Sequence, residues 1–171
     1  MLTPPKKYLL AGFAGCGKSS LLKELQALHP LEQSFDLDSV IRAEFENIEA
    51  MVEKLGWDVF RQKEVQKLAE LLQGDASMWV ALGGGTLERG WSVIETFQDV
   101  RVIYIDCQFD TCWERIKNDP QARPLVRLGE EEMRRIYQSR IPLYERAHFK
   151  IKADGPADKL ALALLHLVGL A

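Results

Sequence analysis

Apolar positions in this chain fall into short runs separated by longer stretches of helical period. The first run, Tyr8-Leu9-Leu10-Ala11, ends at a glycine-rich turn, after which Leu21, Leu22, Leu25 and Leu28 recur at helical spacing until Pro30. This predicts strand, loop, helix. A second run, Phe35-Asp36-Leu37, leads into a charged, helix-favouring region from Val40 to Leu72 that is interrupted around Gly56. Trp79-Val80-Ala81-Leu82, closed by Gly83-Gly84-Gly85, predicts a third strand. Val100 to Ile105, apart from Arg101, predicts a fourth, and a helix pattern from Asp110 to Lys117 follows it. Phe149-Lys150-Ile151 predicts a last strand before a Leu- and Ala-rich helix from Ala157 to Val168. Such alternation is the sequence sign of a parallel sheet covered by helices, so the expected fold class is α/β. Between Asp119 and Arg146 the chain is rich in charge and poor in aliphatic residues, a composition that predicts an exposed, mobile segment over a ligand site.

Composition narrows the picture. A length of 171 residues suits one domain with appendages. The 22 basic and 25 acidic residues give a formal net charge of -3, without the electrostatic footprint of a nucleic-acid binder, so an anionic ligand must be held by local positive charge. Neither an apolar run of about 18 residues nor a leader pattern is present, which predicts a protein that is neither exported nor inserted in a membrane. Cys16, Cys107 and Cys112 are an odd set without a CxxC pair, which argues against a disulfide framework and a zinc site and makes a reducing cytoplasm the simplest setting.

Gly12-Phe13-Ala14-Gly15-Cys16-Gly17-Lys18-Ser19 fits GxxxxGK[ST]. Glycines there let backbone N–H groups curl round phosphate oxygens, and the helix N-terminus adds partial positive charge. Lys18 is the candidate contact to the β- and γ-phosphates and Ser19 the candidate Mg²⁺ ligand. The predicted strand before the loop and helix after it supply the confirming context, although nucleotide binding alone does not separate a kinase from a GTPase switch or an ATPase module.

Other residues fit one site without requiring it. Asp36 and Asp38, two apart at a strand end, would project to one side, one carboxylate holding hydrated Mg²⁺ and the other accepting a hydroxyl proton; the same pair could simply cap the next helix. Arg61 and Glu64 share a helix face and could equally be a solvated ion pair. Gly83-Gly84-Gly85 permits close approach of backbone to ligand or forms a flexible turn. Arg123 and Arg140 offer forked donors for carboxylate or phosphate, or only solubilise. Cys16 reads as a small residue tolerated in the loop in preference to a redox switch, and His29, His148 and His166 lack any metal or triad spacing.

Taken in order, the loop Gly12–Ser20, Phe35-Asp36-Leu37-Asp38, Gly56 to Glu64, Leu82-Gly83-Gly84-Gly85, Arg123-Pro124-Leu125-Val126 and Ser139 to Tyr144 resemble the motifs of shikimate kinase. The resemblance implies a single P-loop kinase domain over residues 1–171. It implies a three-layer sandwich in which helices flank a five-stranded parallel sheet, with a substrate-binding helical region about residues 39–73 and a lid about 119–139. It further implies ATP as co-substrate, Mg²⁺, and shikimate as acceptor. Asp38, Arg61, Glu64, Gly83, Gly84, Gly85 and Arg140 would hold shikimate, and Lys18, Asp38 and Arg123 would carry the chemistry. Gly12, Gly15, Cys16, Gly17, Lys18, Ser19 and Ser20 would hold the nucleotide phosphates, with Arg115 and Asp154 near adenine, and Ser19 and Asp36 would hold the metal. A cytoplasmic monomer without nucleic-acid or membrane partners is expected. Three positions depart from the family's common pattern: Trp57 after Gly56, Arg42 after the Asp pair, and a somewhat shorter lid. Another acceptor, such as gluconate or a nucleoside monophosphate, or a non-catalytic nucleotide-binding module, stands as the alternative.

Overall fold

The computed structural model describes residues 6–45, 48–119 and 126–170. Five strands, β1 (Lys7–Ala11), β2 (Gln33–Asp36), β3 (Met78–Ala81), β4 (Val100–Asp106) and β5 (Phe149–Lys152), form one sheet in the order β2-β3-β1-β4-β5. Every pairing is parallel, with Leu9 of β1 in register with Val80 on one side and Val102 on the other. Parallel neighbours need helical crossovers, so successive residues of a central strand meet helices on both faces. Tyr8, Leu9, Leu10 and Ala11 are accordingly all buried, as are Met78 to Ala81, and these runs read as continuously apolar.

The helices are α1 (Lys18–Leu28), α2 (Leu37–Glu44), α3 (Ile48–Leu55), α4 (Trp57–Leu72), α5 (Leu87–Ile94), α6 (Phe109–Ile116), α7 (Glu130–Tyr144) and α8 (Ala157–Val168). Leu21, Leu22 and Leu25 carry α1 onto the core, where α1 packs against α8. On α4, Phe60, Glu64, Leu68 and Leu72 form a stripe at helical spacing, and that face packs on α2 and α5. The expected α/β class, the five strands and the flanking helices are all present.

Three local expectations change. The region from Val40 to Leu72 is divided among α2, α3 and α4, with a break at Phe45 as well as at Gly56. Helix α5, which directly follows the three glycines, was not anticipated; Leu87, Trp91 and Ile94 are its buried face. The charged stretch after Asp119 contains the ordered helix α7, not a uniformly exposed segment. Met133, Arg140 and Tyr144 bury one side of it, whereas its charges pair along the outer side, Arg135 with Glu131 and Glu132 and Arg134 with Glu130. Charge density recorded a solvated face and concealed the sparse buried one.

Candidate active site

All five strands point their carboxyl ends the same way, and the chain segments that leave them build the site there. The first is the loop from Gly12 to Ser19. Gly12, Gly15 and Gly17 have φ of 147°, 81° and 101°, a region that favours glycine, and Gly17 is the N-cap of α1. Lys18 is buried, and its ammonium donates to the carbonyls of Gly12 at 2.8 Å and Phe13 at 3.0 Å, so the cation is held against the loop. Ser19 and Ser20 are exposed at the start of α1. Cys16 packs beneath the loop, with Sγ 3.6 Å from Lys18 Nζ. Arg115 of α6 reaches the loop by donating to the Gly15 carbonyl at 3.0 Å. Asp154 is exposed in the turn after β5, at the same end of the sheet.

Asp36 and Asp38 do not share a strand, because α2 begins at Leu37. The period-two argument for their common direction therefore fails. Asp36 ends β2 and divides its carboxylate: Oδ1 accepts from the Ser39 backbone N–H at 3.1 Å and caps α2, while Oδ2 accepts from the Ser19 hydroxyl at 2.5 Å. One residue thus both caps the helix and reaches the phosphate loop. Ser19 and Asp36 present adjacent hard oxygen donors of the kind that suits Mg²⁺, which keeps several waters and seldom takes an all-protein cage. Among the described residues no cluster of three or more acidic, His or Cys ligands exists, in keeping with so sparse a donor set.

Asp38 lies in the first turn of α2 and turns toward Gly83. Burial, and then the charge of Asp36, push its carboxyl above the ordinary range, while Lys18, Arg42 and Arg61 oppose the rise. Glu64 on α4 is fully buried; it accepts from Arg61 Nη1 and, at 2.9 Å, from the Thr86 hydroxyl. Its carboxyl is also held up by burial, partly offset by Arg61. The Arg61–Glu64 pair is therefore part of the interior and not a solvated surface pair. Trp57 stacks its edge on Phe60 and lies 5.4 Å from the Arg61 guanidinium.

The three glycines after β3 are close-approach positions. A Cβ on Gly83 would stand 2.5 Å from Glu64 Oε1 and 2.9 Å from Asp38 Oδ1. On Gly84 it would meet the Ala14 backbone nitrogen at 3.2 Å, so this segment abuts the phosphate loop. On Gly85 it would strike the guanidinium of Arg61 and lie 2.7 Å from Arg140 Nη2. Arg140, from the inner face of α7, is 5 % exposed; its Nε donates to Glu88 at 2.6 Å, and its Nη1 is buried without a hydrogen-bond partner. Tyr144, one turn on, donates to the Gly84 carbonyl at 2.5 Å and pins α7 to the glycine segment.

The structure thus brings Lys18, Ser19, Asp36, Asp38, Arg61, Glu64, Gly83, Gly84, Gly85 and Arg140 into one region. Arg123, the expected lid arginine, lies outside the described residues. Thr86 and Glu88 escaped the sequence reading, although Thr86 directly follows the glycines and Glu88 occupies the first turn of a helix whose Leu87-Trp91-Ile94 spacing was there to be read.

A parallel five-stranded sheet whose first strand runs into a GxxxxGKS loop, beside a cluster of buried arginines and carboxylates, defines a P-loop phosphotransferase. Residues 14–168 match the family described as shikimate kinase. The chain is 30% identical over 155 residues to a shikimate kinase of Clostridium botulinum, covering 90% of this chain and 92% of that one. It is 32% identical to one from Prochlorococcus marinus, covering 95% and 83%. A solved shikimate kinase from Acinetobacter baumannii, in complex with shikimate, superposes with a TM-score of 0.87 at 28% identity and covers 98% of this chain and 94% of that one. The chain belongs to the shikimate kinase family. A gluconokinase from Sinorhizobium meliloti, at 16% identity and a TM-score of 0.66, shares the fold alone.

Proposed function

We propose that this protein transfers the γ-phosphoryl group of ATP to the 3-hydroxyl of shikimate, giving shikimate 3-phosphate and ADP. One observation carries the reading: Arg61 and Arg140, both buried, converge on Gly85, and Arg140 Nη1 has no protein partner among the described residues. A buried donor left unsatisfied costs roughly 1–3 kcal/mol, and a small carboxylate matches such forked donors.

The triphosphate is assigned to the loop Gly12–Ser19, with Arg115 and the Asp154 turn toward the adenine side. Ser19 and Asp36 would hold Mg²⁺, which would offset phosphate charge. Arg61 and Arg140 clamp the acceptor carboxylate. Asp38 orients the 3-hydroxyl and takes its proton as the new O–P bond forms and the bond from γ-phosphorus to the ADP oxygen breaks. Its raised carboxyl suits this work, since a base of higher proton affinity takes a proton more readily. Lys18 neutralises charge developing on the transferred group, and Arg123 is assigned to close over it. Region 39–73 serves the acceptor and the stretch about 119–139 the lid, which excludes water from ATP. The protein acts as a cytoplasmic monomer on a small molecule; no helix among the described residues is long and apolar enough to cross a membrane.

The test is ADP release with ATP and Mg²⁺, comparing shikimate, gluconate, a nucleoside monophosphate mixture and no acceptor. Stimulation by shikimate alone is the expected result. Stimulation by another acceptor only, or by none while ATP still binds, would overturn the reading in favour of a different kinase or a nucleotide-binding module.

A further inference from the structure

Glu88 is absent from every role assigned above, yet it touches both carboxylate-reading arginines. Its Oε1 accepts from Arg140 Nε at 2.6 Å, and its Oε2 lies 3.9 Å from Arg61 Nε. Both contacts use the Nε edge of a guanidinium. Arg61 Nη1 is taken by Glu64, so the donor ends remaining are Arg61 Nη2 and Arg140 Nη2, both against Gly85, and the unpartnered Arg140 Nη1. Two guanidinium groups this close repel each other, and the two stand on different helices, Arg61 on α4 and Arg140 on α7. A carboxylate between their Nε edges offsets that repulsion, holding the Arg140 plane by a hydrogen bond and drawing Arg61 by charge. Glu88 itself stands in the first turn of α5, where a negative charge is favoured, and its side chain is 40% exposed, so it braces the pair from the rim without filling the space at Gly85.

We propose that Glu88 is a positioning residue that orients Arg61 and Arg140 for the acceptor carboxylate; this rests on the function proposed above. The residue acts on acceptor affinity and not on the chemical step, because it lies on the far edge of the arginines from the groups that would bind. Without it the guanidinium groups spread apart, and the bidentate geometry must be rebuilt on each binding event.

The experiment compares the full-length protein with Glu88→Gln and Glu88→Ala. The KM for shikimate is expected to rise roughly two- to fivefold in Glu88→Ala, and less in Glu88→Gln, the range set by a partly exposed charged pair. Both kcat and the KM for ATP should stay near the parent values, and so should the melting temperature. An unchanged or lowered KM for shikimate overturns the proposal, as does a parallel fall in kcat, ATP affinity and melting temperature, which would mark Glu88 as merely structural. A second readout needs no acceptor: the Arg140 Nε–H resonance in ¹H–¹⁵N spectra should be protected from exchange in the parent and lose that protection in Glu88→Ala. A parent enzyme inactive on shikimate would sink the proposed function. The resonance would then decide the brace alone, and equal exchange in parent and variant would overturn it.

Discussion

Thr86→Val tests whether the interior of the proposed acceptor site is held by the hydrogen bond from Thr86 to Glu64. Thr86 and Glu64 are both fully buried, and the hydroxyl donates to Glu64 Oε1 at 2.9 Å. Valine has nearly the same shape, so the change removes a donor without opening a cavity. Glu64 is then left with Arg61 as its remaining hydrogen-bond donor. A hydrogen bond to a charged group contributes about 1.5–3 kcal/mol, which for a chain of this length is a fall in melting temperature of roughly 3–12 °C. The loss should depend on pH in a defined sense. Burial already holds the folded-state pKa of Glu64 above its ordinary value, so the folded protein binds more protons than the unfolded chain in that window, and stability falls as pH rises through it. Removing a donor that favours the carboxylate raises this pKa further. The variant should therefore be close to the parent at low pH, where Glu64 is protonated in both, and diverge from it as pH rises. Urea unfolding across pH measures this directly, with Thr86→Ser as the control that keeps the hydroxyl. A Thr86→Val protein within about 0.5 kcal/mol of the parent at neutral pH, or a penalty that shrinks as pH rises, would refute the reasoning.

The remaining predictions concern activity. Asp38→Asn should keep ATP binding, measured by calorimetry, and lose turnover; near-normal turnover would remove Asp38 as the base. Because the carboxyl of Asp38 is raised and must be ionised to accept a proton, kcat/KM should climb with pH along an acid limb centred above the ordinary value of 3.8. A limb at or below that value would contradict the assignment. Gly85→Ala places a methyl group into Arg61 and Arg140 and should raise the KM for the acceptor by about fivefold or more while sparing the KM for ATP, an overpacking cost of roughly 1–3 kcal/mol confined to the proposed clamp. Equal losses for both substrates would show that the loop, and not the clamp, had moved.

Which parts of this site were legible in the sequence follows from the range of the forces involved. The phosphate loop was readable because its chemistry is local: glycine backbone, lysine and serine act within a few residues of one another, and the strand and helix beside them have regular periods. Asp36 and Asp38 were placed together for an incorrect reason. Spacing of two suggested one strand, whereas Asp36 caps α2 and Asp38 enters the site from the first helical turn. The Arg61–Glu64 pair has the same spacing in a solvated helix as in a buried one, and only tertiary packing, with Thr86 and Gly83 pressed on Glu64, separates the cases. The glycine run was ambiguous between turn and close approach for a similar reason, since a missing Cβ has meaning only when the atoms that would collide with it are known.

Helix α7 shows the limit from the other side. Its residues Glu130, Glu131, Glu132, Arg134 and Arg135 dominate the composition and pair mainly with one another, Arg134 also with Asp110 of α6. Met133, Arg140 and Tyr144 decide its position, and one of those three is a charged residue. An arginine on an inner face weakens any hydrophobic pattern, so the residue proposed to read the acceptor is the one that hides its helix from a periodicity search. The same conflict should recur wherever a helix contributes a buried charge to a site: the local signal for the element fades where the functional signal begins, and only the order of separate motifs along the chain recovers it.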